Sequence, residues 1–164
     1  MNFSLTFIFF IWIIGFGILS FILKEKIYNY FLKIKLPQII IFLTIATPLI
    51  LIEEFLTCET PFFKCIIITY PAFIFFLIIN YFIQKKLNLN YLYSSLIFGL
   101  IGWFNEFILV GRIYQLDLVT IILFSIIVIP IYSIIAIIPS FYNQQKNKKL
   151  NSLINNSLNK QNKP

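Results

Sequence analysis

Two carboxylates stand side by side inside an apolar stretch of this chain, Glu53 and Glu54 in the segment ATPLILIEEFLTCET. A third acid, Glu106, follows Asn105 in another apolar stretch, FNEFI. Ionised side chains in hydrocarbon are energetically expensive, and where they occur they generally serve a function. In such a setting a carboxylate binds a cation, carries a proton or acts as a general acid or base. The elements that carry these four side chains decide whether they meet.

The composition indicates that those elements lie in a membrane. The chain has 164 residues, of which 60% are hydrophobic and 12% charged, and its mean hydropathy is +0.91. A soluble domain of this size exposes too much surface to hide so many apolar side chains from water. We therefore expect the lipid bilayer to be a partner, and the cell membrane to be the location.

Five apolar runs are long enough to cross about 30 Å of hydrocarbon as helices. They extend from Phe3 to Leu23, Leu36 to Thr57, Ile66 to Ile83, Tyr91 to Gly111, and Leu118 to Ile138. This pattern predicts an all-α fold, a polytopic transmembrane bundle of about five helices over residues 1–140. Residues 141–164 are rich in Asn and Lys. They are predicted to form a cytoplasmic tail, either disordered or a short amphipathic helix on the inner leaflet.

The basic residues are distributed unequally between the connections. Two of the 13, Lys64 and Arg112, fall in the second and fourth connections. The others fall in the first and third connections and the tail: Lys24, Lys26, Lys33, Lys35, Lys85, Lys86, Lys146, Lys148, Lys149, Lys160 and Lys163. Because basic residues are concentrated on the cytoplasmic side of membrane proteins, the amino terminus is predicted outside and the carboxyl terminus in the cytoplasm.

Several kinds of chemistry are disfavoured by what the sequence contains. The net charge of +7 comes from residues between and after the apolar runs, which is not the pattern of a nucleic-acid surface. The chain has no His, which removes His-ligated metals and Ser–His or Cys–His pairs. Two Cys cannot supply a four-thiolate site. We predict no metal site, and the sequence identifies no cofactor.

Helical spacing suggests which acids point into the bundle. One face of the second helix carries Thr44, Thr47, Leu51, Glu54 and Cys58, and one face of the fourth carries Ser95, Gly99, Gly102 and Glu106. Small residues let a second helix approach closely, and an acid on the same face then points inward. We therefore expect Glu54 and Glu106 to face one another or a common cavity, with Glu53 and Asn105 beside them.

Other residues near the predicted outer ends extend this site. Pro48 has no amide hydrogen, so the carbonyl of Thr44 loses its hydrogen-bond donor within the helix. This carbonyl could coordinate a cation together with Thr44 and Thr47. Alternatively, the helix is kinked at this point and threonine hydroxyl groups satisfy the backbone. Arg112 could pair with an acid across the mouth of the bundle.

Cys58 and Cys65 bracket a predicted external turn, where a disulfide could join the second and third helices. Their spacing is not the Cys-x-x-Cys of a redox catalyst.

Three classes of function remain open. The site could bind or transport a cation, a proton or a cationic small molecule, and a transporter requires a solvated path inward past Ser95, Gly99 and Thr44. The acids could instead join helices in an accessory subunit of a membrane complex. An intramembrane enzyme could use a Glu as general acid or base on a lipid-soluble substrate.

The adjacent glutamates, with an Asn-Glu pair elsewhere, resemble the intramembrane CAAX-processing proteases. The resemblance implies water activation by the Glu pair, but the chain lacks the His that this family uses.

Overall fold

The structure is a computed structural model and describes residues 9–57, 61–109, 111, 114 and 116–161, without the side chains of residues 9, 10, 109 and 153–161. This part of the chain forms five helices and no strand, which confirms the predicted all-α fold. Helix α1 comprises a π-helical segment, Phe9–Phe16, and an α-helical segment, Gly17–Phe31. The others are α2 (Gln38–Thr57), α3 (Phe62–Leu87), α4 (Tyr91–Phe104, continued by the π-helical segment Asn105–Leu109) and α5 (Leu118–Gln161).

Three of the helices are long and apolar enough to cross a membrane. They are α2, α3 and the part of α5 from Leu118 to Ser152. The α-helical segments of α1 and α4 have 15 and 14 residues, fewer than the about 20 that a bilayer requires. Each is lengthened by its π-helical segment, so five crossings and the orientation of the chain remain predictions.

Helix α5 is the central element of the bundle. It packs against each of the other four helices, and its residues 131–143 are buried apart from a half-buried Ser133. A helix that is apolar on all sides is stable when other helices or lipid surround it. Trp12 of α1 donates a hydrogen bond from its indole nitrogen to the carbonyl of Ile131, at 3.1 Å. The helices that carry the acidic residues, α2 and α4, thus both pack against α5.

Helix α4 approaches α5 most closely at two glycines. A Cβ atom on Gly99 would lie 2.2 Å from Oγ of Ser133 and 2.5 Å from the carbonyl oxygen of Ile129. A Cβ atom on Gly102 would lie 2.3 Å from Cγ of Tyr132. The small-residue face predicted on this helix therefore meets α5, and its lack of side chains sets the distance between the two backbones.

A buried amide network joins four helices at the other end of the bundle from the acids. Asn143 of α5 donates to Oε1 of Gln84 at 2.8 Å, and Gln84 donates to the carbonyl of Ser140 at 2.9 Å. Gln38 of α2 donates to the Asn143 side chain, and Ser94 of α4 donates to Oδ1 of Asn80 at 3.3 Å. Most of these buried polar atoms satisfy one another, which stabilises polar side chains in an apolar core; Nδ2 of Asn80 is buried without a partner.

The helices extend beyond the apolar runs that predict them. Helix α1 continues past Leu23 to Phe31, and α3 spans Phe62–Leu87, about one turn more at each end than predicted. The predicted turn between Cys58 and Cys65 is correspondingly shorter, because α3 has begun by Phe62. Helix α5 continues beyond Ile138 to Gln161 without a break. Whether residues 141–161 touch a bilayer stays a prediction.

Asp117 caps the amino terminus of α5 in a way that depends on pH. Its carboxylate accepts hydrogen bonds from the backbone and hydroxyl of Thr120, at 3.0 and 2.6 Å, and these bonds lower the pKa of Asp117. A lowered folded-state pKa gives stability that is present above about pH 4 and is lost as the pH falls through the folded value. We expect the first turn of α5 to lose hydrogen-exchange protection, corrected for intrinsic rates, below about pH 4. Asp117→Asn should show no such step, and equal profiles for the two proteins would contradict the assignment.

Candidate functional site

A cavity of about 190 Å³ opens between α3 and α4, with α5 behind it. Its polar lining comes from all four neighbouring helices: Glu54 of α2, Thr69 of α3, Asn105 and Glu106 of α4, and Tyr132 of α5. The structure therefore brings Glu54 and Glu106 to one cavity and adds Asn105 to its wall.

Glu54 lies where α2 meets the first turns of α3. Its side chain is 5% exposed. Oε2 lies 3.0 Å from the sulfur of Cys65, and the Thr69 side chain is within hydrogen-bonding reach of the carboxyl group. The Glu54 carboxyl group thus lies against the first half of α3, where it lines the cavity.

Glu106 lies on the π-helical segment that ends α4. Tyr132 of α5 donates a hydrogen bond from its hydroxyl to Oε1 of Glu106, at 2.9 Å. A π-helical turn is wider than an α-helical turn, and such turns occur frequently at functional sites. The wider turn changes the direction in which the side chains after Phe104 point. Asn105 and Glu106, although adjacent in sequence, both line the cavity.

Glu53 is buried next to the cavity with an unsatisfied oxygen. The side chain is 4% exposed, and Oε1 accepts a hydrogen bond from the Thr57 hydroxyl at 3.2 Å. Oε2 has no hydrogen-bond partner, and a buried acceptor in that state is destabilising. Glu53 is close enough to Glu54 and Glu106 to interact with them electrostatically, so three carboxyl groups lie near one another at one end of the bundle. Helical phase alone predicts Glu54 as the inward residue, yet both acids are buried.

The remaining wall of the cavity is apolar, with aromatic rings beside Ile68, Ala72 and Gly102. It includes Phe73 and Phe76 of α3, Phe98 of α4 and the ring of Tyr132. The rings of Phe73 and Tyr132 are 5.4 Å apart between centroids. Aromatic faces attract cations through the ring quadrupole, most strongly where water is excluded. Carboxyl groups and aromatic rings together suit a positively charged ligand that has an apolar part.

The two threonines predicted to assist the acids lie elsewhere. Thr44 donates to the carbonyl of Ile40 at 2.8 Å and lines a separate groove between α1 and α2. Thr47 donates to the carbonyl of Leu43 at 3.0 Å, and its hydroxyl lies 3.0 Å from that of Tyr70. Neither residue lines the acidic cavity.

Arg112 and Cys58 lie outside the described residues. Cys65 is disulfide-bonded, and its predicted pairing with Cys58 stays a prediction.

The residues of α4 predicted to line a path from the cavity toward the other end of the bundle are packed against their neighbours or buried. Ser95 donates to the carbonyl of Tyr91 at 2.6 Å, and Gly99 is packed against α5. Phe98 and Leu77 are 1% and 0% exposed. Along this face of α4, side chains of the neighbouring helices therefore fill the space next to the cavity.

Sequence reasoning missed Tyr132 and the amide network. Tyr132 lies inside an apolar run with no polar pattern around it, so only the packing of α4 on α5 identifies it. Asn80 and Gln84 are four residues apart in the third apolar run, which places them on one helical face. That spacing was an available signal of a buried polar contact.

Neither the metal-binding side chains near the site nor similarity to known proteins assigns a function to this cavity. Within the described residues, no group of three His, Cys, Asp or Glu side chains could hold a metal ion. No protein-family model, curated protein or solved structure matches the chain.

Proposed function

We propose that this chain is a multi-pass protein of the cell membrane that binds a small organic cation in the cavity between α3 and α4. The observation that carries the proposal is the convergence of Glu54 and Glu106, from two helices, on one cavity walled by aromatic rings. A carboxylate supplies the opposite charge, and the rings accept the apolar substituents of an ammonium group. With the predicted orientation, the cavity faces the outside.

Binding accounts for the structure better than transport. A transported cation needs a route past Ser95 and Gly99, and in the described structure those residues are packed against their neighbours. A binding site needs only one entrance.

A structural role in an accessory subunit is the second candidate. The hydrogen bond from Tyr132 to Glu106 joins α5 to α4, which is how an acid stabilises a helical bundle without any ligand. The two candidates differ in whether the carboxyl groups respond to an added cation.

Thermal unfolding of the purified protein in lipid nanodiscs tests the proposal. Tetramethylammonium should raise the midpoint by several degrees at a saturating concentration, and sodium at the same ionic strength should raise it less. The shift should vanish in Glu54→Gln and Glu106→Gln, because each loses a charge that faces the cavity. Glu25→Gln, which changes an exposed acid on α1, is the matched control and should retain the full shift.

Two outcomes would overturn the proposal. One is the absence of a larger shift with tetramethylammonium than with sodium. The other is an equal shift in all variants. If the two substitutions lower the midpoint and no cation changes it in any protein, the structural candidate is correct.

A further inference from the structure

A second groove, apolar throughout most of its length, separates α1 from α2. Each of these helices packs against α5, and they make few contacts with one another. The space between them has a volume of about 210 Å³. Its α1 wall runs from Phe16 through Leu19, Leu23 and Ile27 to Phe31, about 22 Å at the rise of a helix. One leaflet of a bilayer has a hydrocarbon depth of about 15 Å, so the groove is long enough for an acyl chain.

Basic residues stand at one end of this groove. Phe31 ends α1, and the connection that follows carries Lys33 and Lys35, both exposed. Gln38, the first residue of α2, donates to the carbonyl of Asn143 at 3.3 Å and to Oδ1 of Asn147 at 3.1 Å. These bonds fix the connection beside the part of α5 that carries Lys146, Lys148 and Lys149. Among the described residues at this end of the bundle, Glu25 is the only acid.

We propose that the groove between α1 and α2 binds an anionic phospholipid, with an acyl chain between the helices and the headgroup phosphate at Lys33 and Lys35. The apolar wall matches the chain, and the basic connection at its end matches the phosphate. A zwitterionic lipid offers the same chain but less net negative charge to the lysines. This site is separate from the acidic cavity and shares with it only the placement of the chain in a membrane.

Lipid retention measured by native mass spectrometry tests the site. The full chain is equilibrated with equal amounts of phosphatidylglycerol and phosphatidylcholine of the same acyl composition, and the lipids that remain bound are counted. The wild-type protein should retain phosphatidylglycerol preferentially. Lys33→Gln with Lys35→Gln should reduce that preference by about tenfold or more, since each lysine near an anionic surface contributes about fivefold in affinity.

The matched control removes two lysines from the same end of the bundle. Lys85→Gln with Lys86→Gln, in the last turn of α3, should leave the preference within about twofold, because α3 contributes no residue to the groove, whereas Lys33 and Lys35 follow directly on its α1 wall. Equal loss in both double variants would show a general effect of surface charge and would overturn the site. Equal retention of the two lipids by the wild type would also overturn it.

A third variant tests the groove itself. Thr44 lines the groove and is exposed, so Thr44→Trp should fill the space without disturbing the core, and retention of both lipids should fall. Unchanged retention in a variant with a wild-type unfolding midpoint would contradict binding in the groove. The lysine variants should keep the tetramethylammonium shift of the acidic cavity, so failure of one proposal is distinguishable from failure of the other.

Discussion

Gly99→Ala should lower the free energy of unfolding by about 3 kcal/mol, at the upper end of the usual range for overpacked sites. The added methyl group would lie 2.5 Å from the carbonyl oxygen of Ile129 and 2.2 Å from Oγ of Ser133. The serine could turn away, but the carbonyl belongs to the backbone of the central helix α5. Relief of the overlap therefore requires α4 and α5 to separate along their length.

Reversible unfolding in mixed micelles of increasing denaturing detergent measures this effect, and Gly17→Ala is its control. A Cβ atom on Gly17 would meet Ile134 of α5 at 3.6 Å, an ordinary contact distance, and Ala has the higher helix propensity. The control should be neutral or slightly stabilising. If both alanine variants unfold at the same detergent fraction, the close approach of α4 to α5 at Gly99 is wrong.

The second large effect is expected at the buried amide network. Asn143 is fully buried, donates to Gln84 at 2.8 Å and accepts from Gln38. Asn143→Ala leaves Oε1 of buried Gln84 without its donor, whereas Gln38 keeps its bonds to the backbone carbonyl of residue 143 and to Asn147. A buried polar group without a partner costs about 1–3 kcal/mol, so the free energy of unfolding should fall by about 2 kcal/mol, measured in the same detergent titration.

Asn147→Ala is the matched control for that prediction. Asn147 is one helical turn from Asn143, is only partly buried and accepts one hydrogen bond from Gln38, at 3.1 Å. Because water can replace that bond, the control should lose less than about 1 kcal/mol. An equal loss of unfolding free energy in the two variants would show that Asn143 does not hold the network together.

The sequence predicts the helices well and their ends poorly, for a physical reason. An apolar run marks where a chain can lie in hydrocarbon, whereas a helix continues as long as its residues favour one. Lys24, Glu25 and Lys26 end the first apolar run and are good helix formers, so α1 continues to Phe31. In the same way α5 passes through Pro139 and continues into the polar tail.

At the acidic site, too, the sequence predicts what depends on one helix and does not predict what depends on the packing of several. Helical spacing predicts that Gly99, Gly102 and Glu106 share a face, and in the structure each of them meets α5. It cannot predict that Tyr132 is the residue of α5 that reaches Glu106. Nor does it predict the burial of Glu53, because the width of the face that neighbouring helices cover on α2 depends on their packing.

Covalent labelling of the carboxyl groups is the most direct test of a single cation site at Glu54 and Glu106. A hydrophobic carbodiimide reacts with carboxyl groups in membranes, and peptide mass spectrometry reports the extent of the adduct at each residue. Tetramethylammonium should protect Glu54 and Glu106 together, with one half-protection concentration, and should leave Glu25 unprotected. Protection of only one of the two glutamates, different half-protection concentrations, or no protection at either residue would contradict a shared site.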